Sequence, residues 1–106
     1  MSSPVRLTRS TTLVLAALAD GVRHGFDVLD ETGLESGTVY PILRRLERAG
    51  LVRSRWEAVQ RARSEGRPPR RYYELTGAGA EALAEAVRLH PQAERSRSVA
   101  PRPRLA

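Results

Sequence analysis

A chain of 106 residues makes one compact domain that buries roughly 60–65% of its unfolded surface, and its lack of cysteine excludes disulfides, thiolate catalysis and Cys-based zinc sites. Leu, Ile, Val and Phe number 24 and no run approaches the ~20 apolar residues that cross a bilayer, so the chain is expected to be soluble and its core Leu/Val/Ala-rich and helical. The formal charge is +6 and all 18 basic residues are arginine, which favours a polyanionic partner, with nucleic acid ahead of an anionic membrane surface.

Residues 1–9 read as a flexible arm, and MSSPVRLTRS lacks the apolar stretch of a secretory signal, so a cytoplasmic location is expected. From Ser10 or Thr11, TTLVLAALADG predicts a short helix with a hydroxyl N-cap and Gly21 as its stop. A second helix is predicted from Gly25 to Thr32, ended by Gly33, with Phe26, Val28 and Leu29 inward and Asp27, Asp30 and Glu31 outward. The third is the clearest. Val39, Ile42, Leu43 and Leu46 stand at i, i+3, i+4 and i+7, Ser36 is a natural N-cap and Gly50 a natural terminator. Pro41 removes one backbone hydrogen bond near its start and predicts a tight or slightly bent first turn. The face opposite the apolar stripe carries Gly37, Tyr40, Pro41, Arg44 and Arg48.

LVRSRWEA alternates as a strand, with Trp56 read as a core or hairpin anchor, and RRYYELT as a second strand with Tyr73 and Leu75 on one face. The polar stretch between them makes a hairpin with a long tip. Thr76 caps a last helix to residue 90, striped by Ala80, Leu83, Ala84 and Val87, and residues 91–106 read as a disordered basic tail. Three helices, two strands and a helix, mainly α with a small sheet (α+β), give a winged helix-turn-helix spanning residues 10–90.

The charge is unevenly placed: residues 44–71 hold 10 arginines and 3 acids, net +7, while residues 1–43 sum to −2. A cationic helix followed at once by a cationic hairpin suits duplex DNA, the helix entering the major groove and the hairpin tracking the adjacent backbone or minor groove. The candidate DNA-binding residues on the helix over 36–49 are Ser36, Gly37, Thr38, Tyr40, Pro41, Arg44, Arg45 and Arg48. Those of the 57–71 wing are Arg61, Arg63, Arg67, Pro68, Arg70, Arg71 and Tyr72. A protein-interaction module docking an acidic partner is the alternative. RNA binding stands third, because the sheet lacks the paired aromatic pattern of single-strand RNA modules. Enzymatic activity stands last: His24 and His90 have no catalytic partner, no phosphate-binding Gly loop is present, and no cofactor or metal is implied.

LVLAALADGVRHGFDVL, SGTVYPILRRLERAGLV, SRWEA and GRPPRRYYELTGAGAEAL together resemble the PadR family of bacterial transcriptional regulators, over roughly residues 13–83. The resemblance implies a winged-helix repressor that binds a palindromic operator in double-stranded DNA as a homodimer and, in some members, is released by a small molecule. It implies a recognition helix from Ser36 to Arg48, a wing return arm of Arg67, Pro68, Arg70, Arg71 and Tyr72, and a structural turn at His24 and Gly25. The region between Phe26 and Ser36 is shorter than in many members, and periodicity stops at Pro91. Dimerisation therefore falls to the last helix, through Leu83, Val87 and Leu89, against helix one or the arm of the partner.

Overall fold

The computed structural model describes residues 5–93. In chain order it contains α1 (Arg9–Ala17), β1 (Arg23–His24), α2 (Gly25–Thr32), α3 (Ser36–Arg48), β2 (Val52–Trp56), α4 (Val59–Ser64), β3 (Arg71–Leu75) and α5 (Gly77–Leu89). The three helices, two strands and last helix of the sequence reading are all present, but the order gains two short elements, β1 and α4. Residues 1–4 of the predicted arm and 94–106 of the predicted tail lie outside the described residues.

Helix α1 starts slightly earlier than predicted because Thr8 supplies the cap: its hydroxyl accepts from the Thr11 amide at 3.1 Å. The residues just before it are part of the body. Val5 and Leu7 pack on the core, and His90, just past α5, donates from Nε2 to the Leu7 carbonyl at 2.6 Å. Helix α2 has the predicted bounds, with Gly33 closing it at φ 71°. Phe26 is not inward, as the sequence reading had it, but 67% exposed. Residues two apart on a helix project about 160° from each other, so Phe26 and Val28 cannot share a face. Val28 takes the core position.

The core joins Val14, Leu15 and Leu18 to Val28, to the α3 stripe of Val39, Ile42, Leu43 and Leu46, and to Val52, Tyr73 and Ala86. Full burial of each large apolar side chain is worth roughly 1.5–3 kcal/mol, so the predicted α3 stripe is the main anchor of that helix. The sheet is antiparallel in the order β1-β3-β2. Two residues of β1 suffice to pair His24 with Tyr72 and so tie the entry to α2 to the wing's return strand.

Helix α5 is capped by Thr76 as predicted, its hydroxyl accepting from the Gly79 amide at 3.0 Å and donating to the Gly50 carbonyl at 2.7 Å. The predicted apolar stripe is rotated: Ala80 and Ala84 are exposed, whereas Gly79 and Ala86 are buried and Ala82 and Leu83 pack on the core. Gly79 is the reason. A Cβ there would lie 1.9 Å from the Leu51 carbonyl oxygen, so α5 reaches the chain leading into β2 only through a residue without a side chain.

The wing is not a plain hairpin tip. Glu57 is nearly buried, its side chain 4% exposed, and it accepts two hydrogen bonds from the Arg67 guanidinium, at 2.6 and 2.9 Å. The Arg70 amide adds a third at 3.3 Å. Around this carboxylate the chain winds one short helix, α4, buries Ala62, and turns back at Gly66 with φ 67°. Arg67 also bonds Glu65, and Pro68 and Pro69 lead into β3. The bonds from Arg67 hold the Glu57 carboxyl down at about 2, below its ordinary 4.5, while the bond to Glu57 raises Arg67 above its own ordinary value.

Gly79→Ala should lower stability by about 1–3 kcal/mol, because the added methyl meets backbone that cannot swing aside. Gly25→Ala should cost less, since its Cβ would meet only the movable end of Tyr40. Urea denaturation of the two variants checks the order. The Glu57 brace stabilises the folded chain fully above about pH 4.5 and is lost as the pH falls towards 2. The gap in melting midpoint between the natural chain and Glu57→Gln should be widest at neutral pH and should close through that window.

Candidate nucleic-acid interface

Helix α3 turns its core stripe inward, and at 100° per residue this places Gly37, Pro41, Arg44 and Arg48 on the opposite side. Gly37, Arg44 and Arg48 are exposed and Pro41 is half-buried. Thr38 and Arg45 are exposed on one flank, and Tyr40 and Glu47 occupy the flank that meets the sheet. Among the described residues no ion pair holds Arg44, Arg45 or Arg48. Three cations on one rigid rod therefore face solvent.

The start of α3 differs from the sequence reading. Glu35 holds the cap position, without a side-chain hydrogen bond, and Ser36 is the first helical residue. The Glu35 carbonyl accepts from both Thr38 and Val39, at 2.9 and 3.0 Å, the tight first turn that Pro41 predicts. Pro41 cannot donate to the Gly37 carbonyl, and the cost is small because Gly37 is exposed to solvent. Tyr40 faces the body, its ring end against Gly25 at the entry to α2.

Glu47 is the junction between helix and wing. Its carboxylate accepts from the Ser54 hydroxyl at 2.5 Å and from Arg71 Nη2 at 3.2 and 3.3 Å, and Arg71 also donates to Ser54 at 2.7 and 2.9 Å. The Arg71 guanidinium lies 5.4 Å from the centre of the Trp56 ring and 6.0 Å from that of Tyr73. Burial raises the Tyr73 phenol above its usual 10, Arg71 opposing the shift. Arg71 thus joins α3, β2 and β3 at one point.

Two of the wing arginines singled out from the sequence are consequently taken up within the protein: Arg67 by Glu57 and Glu65, and Arg71 by Glu47 and Ser54. Arg61 and Arg63 project from α4 and are exposed, Arg61 lying 3.8 Å from Glu57. Pro68 is exposed and Arg70 half-buried. Tyr72 lies on the outer face of the sheet, with Arg55 5.4 Å over its ring and His24 edge-on at 6.0 Å. Arg53, on the same face, is bonded to Glu74. Sequence spacing sets Glu47 beside Arg44 and Arg48, but its arginine partner is Arg71, 24 residues along the chain, and Arg67 holds Glu57 from 10 residues away, spacings that carry no local signal.

Of the two readings of Trp56, core or hairpin anchor, the first fails: it is 62% exposed and lies on the hairpin beside Arg71 of the facing strand. Val52, Ser54 and Trp56 do share a face, yet at about 3.3 Å per residue Trp56 stands some 13 Å from Val52, beyond the cover of one helix about 10 Å wide. Of the proposed dimer residues, Leu83 packs on its own core, and Val87 and Leu89 project from different flanks of α5, Leu89 being 58% exposed. Among the described residues no helix is long and apolar enough to cross a membrane, and no three His, Asp or Glu side chains cluster as a metal site.

A family model described as the transcriptional regulator PadR-like family matches residues 14–85. The fold is similar to that of a PadR family transcription regulator from Clostridium difficile R20291, with a TM-score of 0.67 and 23% identity over 86% of this chain and 96% of that one. A PadR family transcriptional regulator from Eggerthella lenta DSM 2243 is 29% identical, with a TM-score of 0.58 over 86% of this chain and 83% of that one. BpsR of Bordetella bronchiseptica, whose DNA binding is regulated by 6-hydroxynicotinic acid, is 25% identical, with a TM-score of 0.65 over 91% of this chain and 68% of that one. Among curated proteins none matches the chain in sequence. The matched stretch runs from within α1 into α5 and takes in the arginine face of α3 and the whole braced wing; the chain belongs to the transcriptional regulator PadR-like family and is a DNA-binding transcription regulator, not an enzyme.

Proposed function

We propose that the chain is a cytoplasmic repressor that binds a palindromic operator as a homodimer. Helix α3 enters the major groove and the wing follows the neighbouring backbone or minor groove. The observation that carries this reading is the exposed arginine face of α3, with Arg44 and Arg48 opposite the core stripe and Arg45 beside them. Arg44 and Arg48 stand one turn apart, the spacing at which two side chains of a helix reach successive base or phosphate positions along a groove. Ser36, Gly37 and Thr38, all exposed at the start of α3, offer hydroxyls and amides to a phosphate. On the wing, Arg61, Arg63 and Arg70 make the phosphate contacts, flanked by Pro68 and Tyr72, while Arg67 and Arg71 set the shape of the wing and its angle to α3. Repression follows from occupancy, since a dimer seated over a promoter excludes polymerase from the same duplex.

The dimer forms through α5, on the side where Leu89 is its largest exposed apolar side chain. Regulation by a small molecule is part of this reading, by analogy with BpsR. A recess of about 280 Å³ between α1 and the α2–α3 turn, lined in part by Arg9, Leu13, Glu31 and Leu34, is slightly below the ~300–1,000 Å³ typical of such sites.

A gel shift with the region upstream of the chain's own gene tests the DNA reading, and binding no tighter than to random duplex at low and moderate salt would defeat it. Arg44→Ala should cost about 1–3 kcal/mol and relax sequence preference, while Arg70→Ala should weaken all duplexes alike. With roughly 5 phosphates contacted per subunit, log affinity should fall with log salt at a slope of about −4 to −5. Light scattering should give twice the chain mass, and Leu89→Glu should shift the chain to monomer and weaken operator binding.

A further inference from the structure

We propose that Trp56 is a DNA-contact residue, its indole lying against the sugar–phosphate strand that passes between α3 and the wing. This rests on the DNA reading above and adds a residue that neither the basic pattern nor the family match assigns.

The ring is 62% exposed although it is the only tryptophan in the chain. Such a side chain keeps a large apolar face in water unless something covers it. Its direction follows from the strand. Val52 is buried and the Ser54 hydroxyl donates to Glu47 of α3, so Trp56, two residues further, points to the same side of the sheet as the reading helix. Arg71, its cross-strand partner, lies 5.4 Å from the ring centre and is itself held by Glu47 and Ser54. The indole is therefore fixed from one side and open on the other.

The chemistry around the open side selects the occupant. Arg44, exposed on α3, and Arg71 both bear on Tyr73, which shares this face of the sheet with Trp56. Glu47 is paired with Arg71 and Glu57, next in the chain, with Arg67, so neither carboxylate is left to repel a phosphate. A flat apolar ring with one N–H donor, set among guanidinium groups, matches a strand that alternates apolar deoxyribose with anionic phosphate. The ring face takes the sugar and Nε1–H donates to a phosphate oxygen. A purely apolar protein surface would leave those cations desolvated and without partners.

The test uses the single tryptophan as its own reporter. A duplex is first selected from random-sequence DNA by repeated binding to the full chain. Titrating it in should shield Trp56 from the neutral quencher acrylamide. Trp56→Ala should weaken binding of that duplex by about tenfold, a typical loss for a buried tryptophan contact. Its melting midpoint should stay unchanged, and Trp56→Phe should keep most of the affinity. If no duplex is selected, the DNA reading fails and this contact with it. If a selected duplex binds but leaves either the quenching or the Trp56→Ala affinity unaltered, the contact alone is overturned.

Discussion

The carboxylate of Glu47 is where helix α3 and the wing become one body. A helix and a hairpin that each carry arginine do not yet make an interface, because their relative angle decides whether both meet one duplex. Arg71 fixes that angle by bonding Glu47 on α3 and Ser54 on β2 from its own place on β3. Its side chain is 39% exposed and that of Glu47 33%, so the ion pair itself is worth about 1 kcal/mol or less. What the cluster supplies is geometry. Glu57 and Arg67 do the same work inside the wing, where the carboxylate is buried and its removal leaves a guanidinium without one of its two carboxylate partners.

These two clamps explain why arginine, and not basic charge in general, stands at positions 67 and 71. Arg71 bonds a hydroxyl and a carboxylate while lying over two aromatic rings, and Arg67 bonds two carboxylates and the Pro68 carbonyl. A planar fork of five donors can serve several acceptors at fixed angles, whereas a lysine ammonium concentrates its charge at one point on a flexible stem. The sum of charge over residues 44–71 is the same whether or not the pairs form, so net charge says nothing about which cations point outward. Pairing moves the available charge to Arg44, Arg45 and Arg48 on the helix and to Arg61 and Arg63 on the wing.

The parts of this arrangement that were legible in the sequence are those governed by short-range period. The stripe of α3, the bounds of α2 and the Thr76 cap depend on contacts within one or two turns, and residue spacing reports such contacts directly. The parts that were not legible depend on residues far apart in the chain. The short helix α4 exists because Glu57 gathers Arg67 and Arg70 around it, and no spacing announces a buried carboxylate. The rotation of α5 was hidden for a different reason: its closest packing point is Gly79, which contributes no apolar side chain to a periodic pattern. Phe26 was placed inward on residue type alone and helical angle overrules it, while strand length keeps Trp56 out of the core, one of the two places it was read to anchor.

Size sets the remaining constraint on a two-fold complex. Reading helices of a symmetric dimer must stand about 34 Å apart to meet two half-sites one turn apart on the same side of the duplex. In the proposed dimer a dyad beside α5 leaves α3 free for the duplex, since α5 packs on α1 while α3 turns its arginine face away from that core. A dyad through the outer face of the sheet would instead engage Arg55 and Tyr72, Arg53 there being paired with Glu74, and would bring the two Arg55 guanidinium groups towards each other. Like-charge contact of that kind is costly without intervening anions, and this weighs against the sheet face and for α5 as the surface of the proposed dimer.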